Sequence, residues 1–320
     1  MRFRLGRRDF MSTGLVAAPF LGANAQVSLR IGWLSVSPHP FVAEFRDRLR
    51  QLGYVEGENL VIEYRYANGD AALLPALVDE LLKARVSILV TSGSAATDAA
   101  VAAAKGVPIV FVTSDPTMLG QIASLSRPGG IATGISTMSE EIAPKKIDLM
   151  RNAVPGFTRL AILQDDSSGG VRQADSMVAS AKGVGVESRV FSLAKPDLFA
   201  GVFAEVAAAR CQAAIAVSSP LFTANARALA SLAVTHRLPA MFDTPTFVRA
   251  GALMSYGPDL PAAFRRQAEL AVRVARGAKL ADIPIEQATK FILAFNQAAA
   301  VSLGLRLSPL VMASVDELIE

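Results

Sequence analysis

Apolar and polar positions along the chain alternate between two periods. Residues 29–36 (LRIGWLSV) form a near-continuous apolar run, the pattern of a strand buried on both faces. Residues 41–52 then place Phe41, Phe45, Leu49 and Leu52 on one helical face, and Gly53 follows where a helix would stop. The same exchange continues down the chain. Strands are predicted at 60–67, 87–91, 108–113 and 132–136, with helices at 71–84 and 94–105 and a short helix after Asp115-Pro116 through Ser126. A helix over 139–153 leads away from this series. The alternation then restarts with strands at 160–164, 186–192, 213–217 and 239–242, separated by helices at 170–182, 198–210 and 224–236.

Repeated βα units predict a parallel, doubly wound sheet, and the restart predicts a second one. The fold class expected is therefore α/β, with two doubly wound parallel-sheet domains joined by a hinge. The first domain is expected to take residues 26–138 plus part of 278–320, and the second residues 139–277. Residues 251–320 are too few for a third core of usual size. Their strand-like segments 252–256 and 291–295 and the helix 260–277 are expected to complete both sheets, with chain crossovers in 251–300.

The first 25 residues stand outside this alternation. They carry Arg7-Arg8 before Asp9-Phe10-Met11, a short apolar stretch from Leu15 to Leu21, and the small-x-small end Ala23-Asn24-Ala25. That order predicts a twin-arginine signal peptide cleaved after Ala25, and hence a periplasmic chain. The apolar stretch is too short for a permanent anchor. Charge changes its meaning once the signal is set aside. Of the formal +4, the four arginines and one aspartate of residues 1–25 supply +3, so the remainder is close to neutral. A basic footprint for nucleic acid is missing. One cysteine, Cys211, and two histidines, His39 and His236, exclude an internal disulfide and give no basis for a zinc site; no metal and no cofactor are expected.

Three segments carry a resemblance: LGYVEGENLVIEYRYANGD (52–70), PIVFVTSDPTMLGQIASLSRPGGIATGIS (108–136) and ILAFNQAAAVSLGLRLSPLVMASVDELIE (292–320). The chain resembles the ABC-transporter substrate-binding protein family that includes tryptophan- and tyrosine-binding members. The resemblance implies a type I periplasmic-binding fold, a small solute trapped by hinge closure, and delivery to an inner-membrane permease with its cytoplasmic ATPase. It also implies a monomer that neither inserts in the membrane nor catalyses a reaction. Ser114 stands where the family commonly has glycine, Ile131 where it often has asparagine, and the loop 164–169 is atypical, so the ligand's identity does not carry over.

In open α/β sheets the ligand lies beyond the carboxyl ends of the strands. That rule selects loops 35–40, 92–95 and 114–116 in the first domain and 165–169, 218–220 and 243–245 in the second. The candidate ligand contacts are Ser37, His39, Ser92, Gly93, Ser94, Ser114, Asp115, Asp165, Ser167, Ser218 and Asp243, with Tyr256 near the later crossover. Gly93 allows close backbone approach, and the helix start after it offers N–H groups to a carboxylate, although Ser94 would also suit a cap. An aspartate would pair with an ammonium, Asp243 and Asp115 ahead of Asp165. Trp33, within a strand, reads as core. An amino acid or similar small carboxylate is the ligand expected. Two other readings use the same loops. An exported enzyme would need His39 or His236 beside a loop serine, but no G-x-S-x-G elbow is present. A ligand-sensing subunit would present its ligand to a receptor instead of a permease.

Overall fold

The computed structural model describes residues 29–119, 122, 124–306 and 309–320. The signal-peptide expectation falls on residues 1–25 and lies outside the described residues. Strands β1 (Leu29–Ser35), β2 (Leu60–Tyr66), β3 (Ile88–Ser92), β4 (Ile109–Thr113) and β5 (Ala132–Ser136) open the chain. β6 (Arg159–Gln164), β7 (Glu187–Ser192), β8 (Ala213–Ala216), β9 (Ala240–Phe242) and β10 (Met254–Pro258) follow. β11 (Glu286–Gln287), β12 (Phe291–Asn296) and β13 (Glu317–Ile319) end it. One sheet has the order β11-β5-β4-β3-β1-β2, the other β13-β12-β10-β9-β8-β6-β7. Every pairing is parallel except β10 with β12. The two sheets with flanking helices make two α/β lobes, as the periodicity predicts.

The strands that are apolar throughout lie in the middle of each sheet, because helices cover both faces there. β3, β4 and β5 are buried at every residue, as is β8. The edge strand β7 is largely exposed. Trp33 is fully buried between Phe45 and Phe264, with ring centroids 5.1 and 5.8 Å away, which bears out the core reading.

The chain crosses between the sheets after β5, after β10 and after β11. At the first crossing Met138 takes φ 52°, a left-handed conformation uncommon for a residue with a side chain. The flanking hydroxyls of Thr137 and Ser139 lie 2.7 Å apart, and Ser136 Oγ donates to the Ser114 carbonyl at 2.7 Å. After β10, Asp259 caps the helix Leu260–Ala275, accepting from Ala262 N–H at 3.0 Å with Pro261 inside the first turn. That helix packs on the first sheet, although the expected boundary at 277 puts it in the second domain. Its apolar face, with Phe264, Ala268 and Ala271, enters the core beside Trp33 and Val90, and Gln267 Nε2 donates to the carbonyls of Thr91 (2.9 Å) and Val110 (3.0 Å).

Sequence reading misses three details. The predicted helix 224–236 is found at Ala226–Thr235, and a short helix before it, Pro220–Ala224, is unanticipated. The break between them is Asn225, at φ −110° and ψ 23°, with its Nδ2 donating to the Leu221 carbonyl at 2.8 Å. The predicted helix after Asp115-Pro116 shrinks, among the described residues, to the 3-10 turn Pro116–Leu119. The short strands β11 and β13 are unanticipated, as is the helix Pro245–Arg249.

Candidate ligand-binding cleft

The carboxyl ends of the strands in the two sheets face each other, and the lobes touch across the gap. Lys195 Nζ, after β7, lies 2.9 Å from Asp70 Oδ2, after β2. Ser168 Oγ donates to Asp98 Oδ2. Gly93 (φ 86°) lies against Pro220 so closely that a Cβ there would come within 2.6 Å of the proline ring. Gly169 lies against the Ser94 and Ser114 hydroxyls, leaving no room for a Cβ. The lobes are therefore in a closed arrangement.

Between them lies a cavity of about 170 Å³. Val36, Ala71, Ala72, Ala95 and Ala96 from the first lobe, with Ala194 and Leu221 from the second, make apolar walls. Ser92, Gly93, Ser94, Asp165, Ser167 and Ser218 supply polar groups. An inner pocket of about 30 Å³ adjoins it behind Ser92–Ser94 and Ser218. That is room for a water molecule or a small polar group. Its lining mixes hydroxyls of Thr113, Ser114, Ser139 and Thr223 with Asp243 and His39, and with the apolar Val112, Pro220, Leu260 and Phe264.

Each polar side chain has a local cause. The helix Ser94–Ala103 begins at Gly93 with no side-chain cap. Ser94 turns its hydroxyl to Thr113 (3.1 Å) and Ser114 (2.8 Å), so it is not the helix cap. The N–H groups of that first turn therefore face the cleft without a side-chain acceptor, the arrangement that favours an anion. Asp165 has both oxygens engaged. Oδ1 accepts from Ser167 N–H (3.2 Å) and Oγ (2.6 Å), and Oδ2 accepts from Ser219 Oγ. Ser167 and Ser219 in turn cap the helices Ser168–Gly183 and Pro220–Ala224. Asp165 is thus the organiser of two loops, and burial raises its pKa despite those bonds.

Asp243 differs. It is 2% exposed. Its Oδ2 accepts from Ser218 Oγ at 2.6 Å, while Oδ1 makes no well-formed hydrogen bond. Burial raises its pKa, opposed by the Ser218 hydroxyl, by the charge of Lys146 and by backbone N–H groups. His39 stacks on Phe264 with ring centroids 4.7 Å apart, and its Nδ1 accepts a long bond from Phe41 N–H at 3.4 Å. Burial lowers its pKa to about 3, so the imidazole is neutral in the pocket.

These features match a known architecture. The model of the ABC transporter substrate binding protein family covers residues 39–319. The chain belongs to that family. The tyrosine-binding protein of Clostridioides difficile strain R20291 is 23% identical over 270 residues, 80% of this chain and 75% of the relative. A conserved domain protein of Vibrio cholerae has the same fold at TM-score 0.84, with 21% identity over 91% of this chain and 99% of its own. The ABC domain from Streptococcus pneumonia in complex with L-Trp gives 0.81, with 20% identity over 91% and 100%. Family and fold are those the sequence resemblance implies, and the solved neighbours have the two-lobed periplasmic-binding architecture.

In this substrate-binding protein the cleft gathers most of the sequence candidates. Ser92, Gly93, Ser94, Asp165, Ser167 and Ser218 line the main cavity, and Ser114, His39 and Asp243 the inner pocket. Three stand apart. Ser37 is buried but lines neither space. Asp115 holds Thr117, accepting from its N–H at 2.9 Å and its hydroxyl at 2.6 Å, the local turn role open to an aspartate before proline. Tyr256 stacks on Phe291 at 5.9 Å, because β10 pairs with β12 there and not with the cleft loops. His236 ends a helix beside Phe203, far in sequence from any loop serine.

The loops after the edge strands were not selected, yet Gly69–Ala72 and Ala194–Lys195 close the mouth of the cavity. The strand-end rule applies to them equally; only their edge position hid them. Lys195 reaches the cavity mouth from one of these unselected loops, and it is paired with Asp70, whose pKa is lowered by that hydrogen bond.

Proposed function

We propose that this protein is a periplasmic receptor for a small α-amino acid with an apolar side chain, which it captures by lobe closure and passes to an ABC permease. The carrying observation is a cleft that joins a main cavity with apolar walls to a small inner pocket lined in part by Asp243, whose Oδ1 makes no well-formed hydrogen bond. An ammonium is small enough for the inner pocket and would meet an acceptor in Asp243. A carboxylate suits the uncapped helix start at Ser94. The walls of Val36, alanines and Leu221 suit a branched or aromatic side chain. The named ligands of the relatives, tyrosine and L-Trp, support the same class.

Closure supplies the mechanism. Each lobe offers only part of the site, so ligand favours the closed state by the contacts that state alone provides. No bond is made or broken.

The test is thermal unfolding of the chain from Gln26, refolded to remove bound solute, against amino acids and matched simple carboxylates. A saturable rise of several degrees with one amino-acid group is expected. Asp243→Ala should then weaken the amino acid at least tenfold more than the carboxylate lacking the amine. Equal weakening would remove Asp243 as the ammonium partner. No shift with any amino acid would sink the ligand class. Export belongs to the same reading: with Arg7 and Arg8 both changed to Lys, the protein should remain in the cytoplasm, and normal export would reject the twin-arginine route.

A further inference from the structure

Lys146 is fully buried. It lies on the inward face of the helix Ala143–Ala153, in phase with Ala143, Ile147 and Met150. Its Nζ reaches the end of β8, 3.5 Å from the carbonyl oxygen of Ala216. That long bond uses one of three ammonium donors. β8 runs beside β9 with Ile215 opposite Met241, and two residues further this register brings Val217 opposite Asp243. Ser218, next in the chain, holds Asp243 Oδ2 at 2.6 Å. Lys146 therefore underlies the strand ends that carry the pocket's aspartate.

The other titratable groups nearby are already accounted for. Asp165 is held by Ser167 and Ser219, His39 is neutral, and Glu140 pairs with Arg172 at 3.1 Å. Lys146 and Asp243 make no direct ion pair, but they are left as charge partners acting through space across the β8 and β9 ends, in a buried region where solvent screens little.

We propose that Lys146 is the internal counter-ion of the binding site: it keeps Asp243 a carboxylate whose Oδ1, without a well-formed bond of its own, can accept from the ligand. Because the two charges cancel, the empty pocket neither attracts free cations strongly nor rejects a zwitterion. Lys146 is thus a positioning and specificity residue that need not touch the ligand. Without it, burial of Asp243 is opposed only by the Ser218 hydroxyl and backbone N–H groups. The carboxyl group then keeps its proton to higher pH, and the ammonium acceptor is lost over that range. The significance for ligand choice rests on the proposed amino-acid reading; the counter-ion role does not, and it is tested without ligand.

The experiment follows the Asp243 carboxyl carbon by NMR in ligand-free protein labelled at aspartate carboxyls, the signal assigned with Asp243→Asn. The midpoint in Lys146→Met is expected at least one pH unit above wild type, with Lys146→Arg close to wild type. Equal midpoints in wild type and Lys146→Met overturn the proposal. Lys146→Gln, which keeps a polar end but carries no charge, serves if the methionine variant does not fold. In wild type itself the Lys146 Nζ signal should move as Asp243 titrates, and the absence of any mutual shift also overturns it. With L-tyrosine and L-tryptophan as probes, Lys146→Met should lose at least tenfold in affinity at pH 6 and regain it above its new Asp243 midpoint. Failure of both probes to bind wild type would reject an aromatic amino acid as the ligand and leave the titration result standing.

Discussion

Two buried charges define the site at the residue scale, and their sequence contexts differ. Asp243 sits immediately after β9, where strand-end reasoning looks for ligand contacts, so it was legible. Lys146 was also legible in principle, since its helical phase with Ala143, Ile147 and Met150 places a cation on an apolar face. A search confined to loops does not see it. Its burial carries a stability signature. Burial lowers the Lys146 pKa from 10.5 to about 8, with the charge of Asp243 opposing the shift. Between those values the unfolded chain binds more protons than the folded one, so this residue makes stability rise with pH from about 8 to 10.5. Below about 8 the penalty of the buried charge is fully present. The rise amounts to roughly 3 kcal/mol. Urea unfolding of wild type and Lys146→Met at several pH values should show the rise in wild type alone. The comparison removes the opposing contributions of the buried tyrosines, which the two proteins share. Parallel curves would mean that Lys146 is not a buried charge.

At the element scale, the pattern of apolar positions locates the strands and most helices because each central strand is buried on both faces. β3, β4 and β8 read as continuous apolar or small-residue runs for that reason. Where local chemistry competes with periodicity, the reading fails. The helix Pro220–Ala224 goes unread because Asn225 ends it after five residues by bonding its own side chain to the Leu221 carbonyl. β11 has two residues, too few for any period to register. The capping serines show the other side of this competition. Ser167 and Ser219 begin helices and also bind Asp165, so one carboxylate sets two loop conformations. A sequence marks Ser-rich strand ends as polar, but it does not say which hydroxyl caps a helix and which one faces a ligand. Ser94 is the example: it precedes a helix as a cap would, yet its hydroxyl goes to Thr113 and Ser114 while Gly93 starts the helix.

For the whole molecule, closure is the property that matters, and it depends on how near the lobes come. The ion pair of Lys195 with Asp70 is largely exposed and adds little holding strength by itself. The glycines matter more because they set the distance. An alanine at Gly169 would drive its Cβ into the Ser94 and Ser114 hydroxyls, which belong to the other lobe. Gly169→Ala should therefore weaken ligand binding by about 1–3 kcal/mol, the usual size of an overpacking penalty. Ligand-free unfolding should change little, since lobes that separate relieve the clash. Calorimetric titration with the ligand, paired with small-angle scattering, tests this; unchanged affinity would show that the contact does not limit closure. The sequence by itself determined the α/β class, the two sheets, the family and most of the strand-end residues, because these follow from periodicity and strand polarity along the chain. Only the tertiary structure decided that the helix Leu260–Ala275 serves the first sheet, that Asp115 and Tyr256 stand outside the cleft, and that Lys146 underlies Asp243. Each of those depends on contacts between residues distant in sequence, and no local period encodes such a contact.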